Sequence, residues 1–213
     1  MCADHTVPRR AKHTHDELRE LILTAATQLI EEKGLEGLSA REIARKIDYS
    51  PGTLYNVFKD RDEILFTIEG RLLNSLEVHL NNVQHTGTAR ERVVALAIAY
   101  LEFAQNNSNL WNLLFEHRPT KGKPTPDWYA EKAQSLMKPV ESAIAPLMQS
   151  ESKAERERSA RVLWASVHGI TSLSTINRLS HVTDDKAQVL VENLVSGYLD
   201  GLDAKLSRTS STA

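Results

Sequence analysis

Two helix starts lie close together between residues 38 and 57, and this spacing constrains the fold more than any other feature of the chain. Ser39 precedes Glu42 by three positions, the spacing of a capping box, in which the hydroxyl and the carboxylate satisfy backbone N–H groups at a helix start. Ser50 can cap a second helix, and Pro51 suits the first turn, where its missing N–H has no use. The spacing therefore predicts two short helices folded back on each other.

The apolar residues of this segment indicate which sides of the two helices are buried. Ile43, Ala44 and Ile47 recur at helical spacing, and Leu54 and Phe58 are four positions apart, so both sets are predicted to face a core. The first helix then turns its basic residues toward solvent or toward a phosphate backbone; these are Arg41, Arg45 and Lys46. For the last two, a purely solvated face is the alternative that we favour.

Net charge limits the kinds of partner that the chain can bind. The 213 residues carry a formal net charge of −2, with 26 Lys and Arg against 28 Asp and Glu. A protein that coats nucleic acid indiscriminately is usually strongly basic, so this class is excluded. Any affinity for nucleic acid has to come from a few basic groups placed on one face.

Cysteine content and hydropathy predict the compartment. Cys2 is the only cysteine, so no intramolecular disulfide can form, and nowhere do about 18 apolar residues follow one another. The N-terminus also lacks the apolar run of a signal peptide. We therefore expect a cytoplasmic protein that makes no membrane contact.

Helical periodicity runs through most of the chain and predicts about nine helices and no strand. The hydrophobic content of 41% is enough to bury a sizeable core. Individual helices are expected over residues 15–33, 61–83, 127–149, 154–180 and 184–206. The expected segments are a flexible arm over 1–14, a first domain over 15–61, a second domain over 62–206 and a flexible tail over 207–213.

The chain carries no familiar motif for catalysis or for binding a metal or cofactor. It has no H-E-x-x-H pair, no paired cysteines, no glycine-rich phosphate loop and no G-x-S-x-G elbow. Its eight histidines are scattered along the chain. We therefore predict no enzymatic activity, no metal site and no cofactor.

The motif in residues 39–61 resembles the DNA-binding motif of the TetR family of one-component transcriptional regulators. The matching residues are Ser39, Ile43-Ala44, Ser50-Pro51-Gly52-Thr53-Leu54-Tyr55, Phe58, Lys59 and Arg61. A shorter match, Trp164-Ala165-Ser166-Val167-His168-Gly169, is similar to a Trp-x-x-x-His-Gly signature in one branch of the family.

Two positions of the DNA-binding motif depart from the family pattern. Asp48 replaces a frequent turn glycine, which Asp tolerates, and Val57 replaces a polar residue, so one contact to the DNA backbone is expected to be missing.

This resemblance implies an all-α protein with two functional parts. The first is a three-helix, helix-turn-helix DNA-binding domain, whose helix-turn-helix segment spans residues 38–57. The second is a C-terminal helical bundle for dimerisation and ligand binding. The implied function is that of a ligand-responsive repressor, a homodimer paired through its last two helices, which binds a palindromic double-stranded DNA operator and is released by a small-molecule effector.

Within such a domain, each exposed side chain of the motif has an expected role. Phosphate contacts are assigned to Ser39, Tyr55, Lys59 and Arg61, and base contacts to Arg41, Thr53 and Asn56. Ser50, Pro51 and Gly52 let the backbone approach the DNA closely. The arm residues Arg9, Arg10 and Lys12 are expected to add salt-sensitive affinity from a minor groove or from phosphates.

Two aromatic pairs are candidates for ligand contact: Trp111 with Phe115, and Trp164 with His168. Each pair has helical spacing of four, and a packed core is the alternative that we favour for both. Gly169 is expected to allow close helix packing. Two rival functions stay open, namely a helical small-molecule binding protein with a vestigial helix-turn-helix and a helical enzyme with His117 or His168 as a base.

Overall fold

The computed structural model describes residues 13–83 and 87–210, and these residues form ten α-helices. The helices are α1 (His15–Lys33), α2 (Ala40–Ile47), α3 (Pro51–Leu54), α4 (Arg61–Asn81), α5 (Ala89–Asn106), α6 (Ser108–Glu116), α7 (Asp127–Ser135), α8 (Lys138–Ile144), α9 (Lys153–Thr175) and α10 (Ala187–Ser210). Single turns of 3₁₀ helix lie at Leu35–Gly37, Ala145–Leu147 and Leu179–His181. The described residues contain no strand, so the prediction of an all-α fold is confirmed.

The ends of the chain are described only in part. Residues 1–12 of the expected arm, which include Arg9, Arg10 and Lys12, lie outside the described residues, as do residues 211–213 of the expected tail. The tail prediction is wrong for its first residues, because α10 continues to Ser210. Leu206 still packs against the core, and the Ser207 hydroxyl donates to the Asp203 carbonyl at 2.9 Å, so the helix keeps its contacts past position 206.

Helices α1 to α3 pack together and against α4 around an apolar core. Its members include Ile22, Ile43, Leu54 and Phe58, each no more than 2% exposed. The spacing argument for Ile43, Leu54 and Phe58 is therefore confirmed. α1 ends at Gly34, whose φ of 69° lies in the region that favours glycine.

The turn between α2 and α3 is closed by Asp48. Its φ of 59° and ψ of 49° are left-handed, as expected for the residue that replaces a turn glycine. The Tyr49 N–H donates to the Ala44 carbonyl at 2.9 Å, across the left-handed residue, which is the bond of a Schellman helix end. Asp48 therefore sets the angle at which α3 leaves α2.

Two of the predicted caps are made only in part. The Ser39 hydroxyl accepts from the Glu42 N–H at 3.1 Å, but the Glu42 carboxylate bonds Arg45 at 2.5 Å, so the reciprocal half of the capping box is missing. Ser50 lies at the start of α3, yet its hydroxyl is 2.9 Å from the Thr53 hydroxyl and caps no N–H. Complete capping boxes start α1 and α5.

The helix predicted over residues 127–149, in which Pro139 or Pro146 was expected to be able to introduce a kink or an early end, is divided in the structure into α7 and α8. α7 ends at Ser135, and α8 begins at Lys138 with Pro139 in its first turn. Proline has no N–H to continue the preceding helix but fits the start of a new one. This division accounts for the tenth helix.

The predicted helix over residues 154–180 is also too long, because α9 ends at Thr175. Asn177 has a φ of 55°, and the Arg178 N–H donates to the Leu173 carbonyl at 2.8 Å. Asparagine is one of the few residues that adopt the left-handed conformation readily. Asn177 therefore ends the helix in the same way as Asp48 ends α2.

The C-terminal bundle is built around α5, which contacts α4, α6, α8, α9 and α10. Arg90, at the start of α5, donates to Asp203 at 3.0 Å and to Asp200, and so holds α10 along α5. The bundle contacts the first domain through α4 and α6, each of which packs against α1, and α6 also contacts the 3₁₀ turn Leu35–Gly37. Within residues 13–83 and 87–210, no helix combines the length and apolarity needed to cross a membrane.

Candidate nucleic-acid interface and ligand cleft

The helix-turn-helix segment and the residues after it present one exposed polar face. Leu54 and Phe58 anchor this face from below, because both are buried. Thr53 is half-buried, and its hydroxyl is shared with Ser50. The other predicted DNA contacts are all exposed: Ser39, Arg41, Ser50, Pro51, Gly52, Tyr55, Asn56, Lys59 and Arg61.

The basic residues of this region fall into two groups, and ion pairs separate them. Arg45 bonds Glu42 at 2.5 Å, and Lys46 bonds Glu32 at 3.1 Å. In the part of the chain that the structure describes, no carboxylate pairs with Arg41, Lys59 or Arg61. The three residues without a carboxylate partner are those to which we assigned a DNA contact. Arg45 and Lys46, which are paired, are those for which we favoured a solvated face.

Three of the predicted phosphate contacts lie around one hollow. Ser39 at the start of α2, Tyr55 after α3 and Arg61 at the start of α4 line it together. Tyr55 is 53% exposed, so its hydroxyl is available to a ligand. Val57, the departure from the family pattern, is half-buried and packs against the core.

A cleft of about 520 Å³ lies in the C-terminal bundle. Its walls come from five helices, α4, α5, α6, α7 and α9, and from the α7–α8 junction. Trp111, Phe115 and Trp164 line it, and His168 lies behind Trp164, with the two rings stacked 5.4 Å apart. Residues that were not predicted also line the cleft: Leu73, Leu76, Tyr100, Leu114, Tyr129, Leu136, Met137 and Arg161.

Two polar groups at the cleft are neutral: Tyr100, which lines it, and His168, which lies behind Trp164. The Tyr100 hydroxyl and the His168 Nδ1 are 3.1 Å apart. Burial raises the pKa of Tyr100 and lowers the pKa of His168, so neither group is charged near neutral pH. Trp111 is 2% exposed, and its indole N–H has no partner among the described residues. Arg161 is the charged side chain that lines the site, and it is paired with Glu157 at 3.5 Å. Gln134 adds a polar group to walls that are otherwise apolar and aromatic.

A buried charged cluster lies between the cleft and the first domain. His117 follows α6, and its Nδ1 is 2.5 Å from Glu69 Oε1, while its Nε2 is 3.4 Å from Asp62 Oδ1. The three side chains are 4%, 2% and 8% exposed, respectively. We call Asp62, Glu69 and His117 the buried triad. No three His, Cys, Asp or Glu side chains of the described residues are grouped so as to hold a metal ion.

The buried triad was not predicted from the sequence, although one signal for it exists. Glu69 lies on the same stripe of α4 as Leu65, Leu72 and Leu76, all of them buried. A carboxylate inside an apolar stripe needs a buried partner. The identity of that partner is not local, because His117 is separated from Glu69 by 48 positions.

Comparisons with known proteins match both parts of the chain. The family model described as bacterial regulatory proteins of the tetR family matches residues 22–68, and the model of the tetracyclin repressor-like C-terminal domain matches residues 93–198. An HTH-type transcriptional regulator of Staphylococcus aureus (strain bovine RF122 / ET3-1) is 30% identical over 95 residues, 44% of this chain and 51% of the relative. The chain therefore spans about half the length of this curated relative.

Solved structures share the fold at low sequence identity. A protein of unknown function from Rhodococcus sp. RHA1 has a TM-score of 0.73 at 23% identity, covering 92% of this chain and 99% of that chain. A tetR-family transcriptional regulator from Streptomyces coelicolor has a TM-score of 0.68 at 17% identity, covering 92% and 86%. The regulator FadR from Bacillus subtilis, in complex with stearoyl-CoA, has a TM-score of 0.62 at 14% identity, covering 85% and 98%.

The two family models together extend from the middle of α1 to the middle of α10. The helix-turn-helix segment lies inside the first match, and most of the C-terminal bundle lies inside the second. The chain belongs to the TetR family of bacterial regulators.

Proposed function

We propose that this protein is a ligand-responsive transcriptional repressor, which binds a palindromic DNA operator as a homodimer and leaves it when an apolar effector occupies the cleft. The observation that carries the proposal is the exposed face of the helix-turn-helix segment. On this face Arg41, Lys59 and Arg61 have no carboxylate partner in the described residues, whereas Arg45 and Lys46 do. Unpaired cations on a rigid support bind phosphates and base edges without first losing an ion pair.

Different residues of this face fix the position of the protein on the DNA and recognise the base sequence. Ser39, Tyr55 and Arg61 line one hollow, where the start of α2 offers backbone N–H groups to a phosphate. Arg41, Thr53 and Asn56 are the base contacts: a guanidinium can bridge the two acceptors of guanine, a methyl group can touch thymine, and an amide can pair with adenine. Lys59 adds a further phosphate contact.

The homodimer is supported by the outer faces of α9 and α10. Large apolar side chains are exposed there, with Val162 47% and Leu173 38% exposed on α9 and Val189 50% exposed on α10. Gly197 and Gly201 on α10 have open space where a Cβ would lie. Nothing in the described chain packs onto Gly169 either, so the close packing expected there needs a second copy of the chain. Small residues on both helices would let two copies form a four-helix interface.

Oligomeric state tests this interface directly. Gly197→Leu places a large side chain where the single chain has room, so the fold is retained while the dimer weakens by at least about tenfold, as expected for roughly 1.4 kcal/mol or more of steric conflict. Sedimentation equilibrium measures the dimer dissociation constant. Ser75→Leu, an exposed change on α4, is the control. An unchanged dimer in Gly197→Leu would remove α10 from the interface.

The effector is proposed to be a largely apolar molecule that fits a cleft of about 520 Å³. The aromatic walls favour apolar contact. Arg161 is exposed and lies 3.5 Å from Glu157, and it can exchange this ion pair for an anionic end group of the ligand. The structural neighbour FadR, which holds stearoyl-CoA, shares the fold at 14% identity and is consistent with a long apolar ligand. In the dimer, the two helix-turn-helix segments must be spaced to match the two half-sites of the operator. A ligand that fits only a conformation with a different spacing would release the DNA.

The central test is sequence-specific DNA binding. Fluorescence anisotropy with DNA from upstream of the protein's own gene, and with a pool selected from random sequence, is measured at two salt concentrations. The selected DNA should bind at least about a thousandfold more tightly than random DNA, and both affinities should fall with salt.

The second candidate function, a helical small-molecule binding protein, is favoured only by the cleft. It predicts that an apolar probe binds while selected and random DNA bind equally. That result would refute the proposed regulator.

A further inference from the structure

The buried triad combines two carboxylates with a single imidazole. Asp62 and Glu69 both lie on α4, less than 9% exposed, and each faces one ring nitrogen of His117. A carboxylate accepts hydrogen bonds only, so both ring nitrogens must donate for the two contacts to be made. The arrangement is therefore complete when His117 carries its second proton.

The triad joins the cleft to the DNA-binding domain. His117 is the first residue after α6, which lines the cleft with Trp111, Leu114 and Phe115. Asp62 is in the first turn of α4, directly after the exposed face of the helix-turn-helix segment. The Phe66 ring, between the two carboxylates in sequence, lies 4.8 Å from the imidazole. Because His117 contacts Asp62 and Glu69, a movement of α6 toward the cleft would displace the start of α4.

The loop after His117 strengthens the same junction. The Thr120 N–H donates to Asp62 Oδ2 at 3.1 Å, and Lys123 pairs with Asp60 and lies 3.4 Å from Asp62. Asp60 is the residue that caps α4. At its other end, α6 is bonded to the first domain through Asn109, whose amide donates to the Glu31 carbonyl at 2.8 Å. The helix that lines the cleft is thus attached to the DNA-binding domain at both ends, and the ionic attachment is at the His117 end.

We propose that His117 is the positioning residue that couples the cleft to the helix-turn-helix segment, and that the coupling requires its imidazole to be protonated between Asp62 and Glu69. This inference deepens the proposed function and rests on it. It makes the response to the effector dependent on pH, because loss of one proton removes one of the two bonds between the imidazole and the carboxylates of α4. Thr120 and Lys123 still contact Asp62, but the end of α6 is then held less firmly on α4.

The charged and titratable groups around the imidazole define the pH range. They are Asp62 and Glu69 from α4, Lys123 from the loop, and Tyr129 from α7, which lies beside Glu69. Burial lowers the pKa of His117, but the bonds and negative charges of Glu69 and Asp62 outweigh it, and the net pKa is raised. Burial raises the pKa of Asp62, but bonds from Thr120 and His117 and the charge of Lys123 lower it to about 2.

The sign of the pH dependence follows from these two shifts. The contribution of His117 is present below the ordinary imidazole pKa of about 6.5 and is lost as pH rises through its raised value in the fold. The contribution of Asp62 is present above the ordinary carboxyl pKa of about 3.9 and is lost as pH falls through its lowered value. Coupling is therefore expected in full below about pH 6.5 and is lost as pH rises through the raised pKa of His117.

The first experiment is an NMR titration of the His117 ring in the full chain. The midpoint is expected above about 6.5, the ordinary value for histidine, and Glu69→Gln should lower it because the variant removes a negative charge. The exposed His181 supplies the reference in the same spectra. A His117 midpoint at or below that of His181, or one that Glu69→Gln does not lower, overturns the proposal.

The second experiment measures coupling with anilinonaphthalene sulfonate, an apolar, aromatic and anionic fluorescent probe. Its binding to the cleft is followed by fluorescence, and hydrogen exchange of amides in residues 38–57 is measured with and without the probe. The wild type and His181→Gln should show a change in exchange at pH 6, below the ordinary imidazole pKa of about 6.5. His117→Gln should bind the probe within about twofold yet show less than a quarter of that change, and the wild type should lose the change at alkaline pH.

The outcomes separate this inference from the proposed function. A full exchange response in His117→Gln, or no response in the probe-bound wild type, overturns the coupling role while the DNA-binding proposal stands. Failure of the probe to bind the wild type removes the effector cleft, and the coupling role with it. If His117→Gln fails to fold, Glu69→Gln at the same pH takes its place, with the same loss of response expected and a retained response counting against the proposal.

Discussion

The exposed face of the helix-turn-helix segment and the cleft of the C-terminal bundle are opposite kinds of binding surface. The face presents cations without carboxylate partners in the described residues, on a support of buried Leu54 and Phe58. The cleft presents aromatic and aliphatic walls, and burial keeps Tyr100, which lines it, and His168, behind Trp164, neutral. Affinity at the face should therefore fall steeply with salt, and affinity in the cleft should depend on it much less, through Arg161 alone.

The difference between the two surfaces shows why they need a physical link. An apolar ligand in the cleft has no long-range electrostatic effect on the DNA-binding face, so it can act only by moving helices. α4 and α6 are the candidates: α4 contributes residues to both surfaces, and α6 lines the cleft and packs against α1 of the first domain. The buried triad joins these two helices.

The largest expected effect comes from removing the support of the DNA-binding face. Phe58 is 1% exposed, and the Arg19 guanidinium lies 4.3 Å from its ring centroid. Phe58→Ala should lower the free energy of unfolding by about 3–5 kcal/mol, because it leaves a cavity in the core. Urea unfolding followed by circular dichroism measures the loss, and probe affinity in the cleft should be retained below the transition.

A matched variant in the other region sharpens this contrast. Leu113, in α6, is fully buried in the C-terminal bundle, and Leu113→Ala should cost about 2–5 kcal/mol for the same reason. It should impair probe binding more than DNA binding, the reverse of Phe58→Ala. Equal effects of the two variants on both ligands would show that the two surfaces are not separable.

The next prediction separates base contacts from phosphate contacts within the DNA-binding face. Arg41→Ala should weaken binding to the selected sequence by about 1–3 kcal/mol and relax preference at one base pair, because one bidentate contact is lost. Tyr55→Phe should weaken all sequences equally, by about 0.5–1.5 kcal/mol, because it removes one phosphate hydrogen bond. Anisotropy on selected and random DNA measures both.

Arg45→Ala is the control for Arg41→Ala, since Arg45 lies on the same helix and is paired with Glu42. It should change DNA affinity little. If Arg41→Ala weakens selected and random DNA to the same extent, Arg41 contacts a phosphate and its assignment to a base edge is wrong.

The smallest effect is expected in the cleft. Phe115 lines it and is 50% exposed, so Phe115→Ala removes one aromatic contact with little cost to the core. Probe affinity should fall by about 0.5–1.5 kcal/mol, independently of salt. Fluorescence titration at two salt concentrations measures this, with the exposed Val78→Ala on α4 as the control. A strong salt dependence of the loss would mean that electrostatic contacts dominate in the cleft.

Local sequence patterns were sufficient to predict the helix-turn-helix segment. Asp48, Leu54 and Phe58 have roles that depend on neighbours within a few positions, and spacing alone indicates such roles. The caps at Ser39 and Ser50 were predicted less well, because Glu42 and Thr53 have competing partners. A side chain with two possible hydrogen bonds cannot be assigned from spacing.

Long-range contacts in the C-terminal bundle could not be predicted in the same way. Trp111, Phe115 and Trp164 were candidates for ligand contact, but their helical spacing fits a core equally well, and only the arrangement of α6, α7 and α9 around the cleft shows that they line it. The pairing of Glu69 with His117 joins two helices that are distant in sequence. The periodicity of apolar residues along one helix does not indicate which other helix packs against it.

The position of the tryptophans has a consequence for optical measurements. The chain has three, and Trp111, Trp128 and Trp164 all lie in the C-terminal bundle, two of them on the cleft. Intrinsic tryptophan emission therefore reports on the bundle alone. Local unfolding of the helix-turn-helix segment does not change this emission directly. Unfolding curves recorded by this emission describe one half of the molecule, whereas a fluorophore attached near α3 would describe the other.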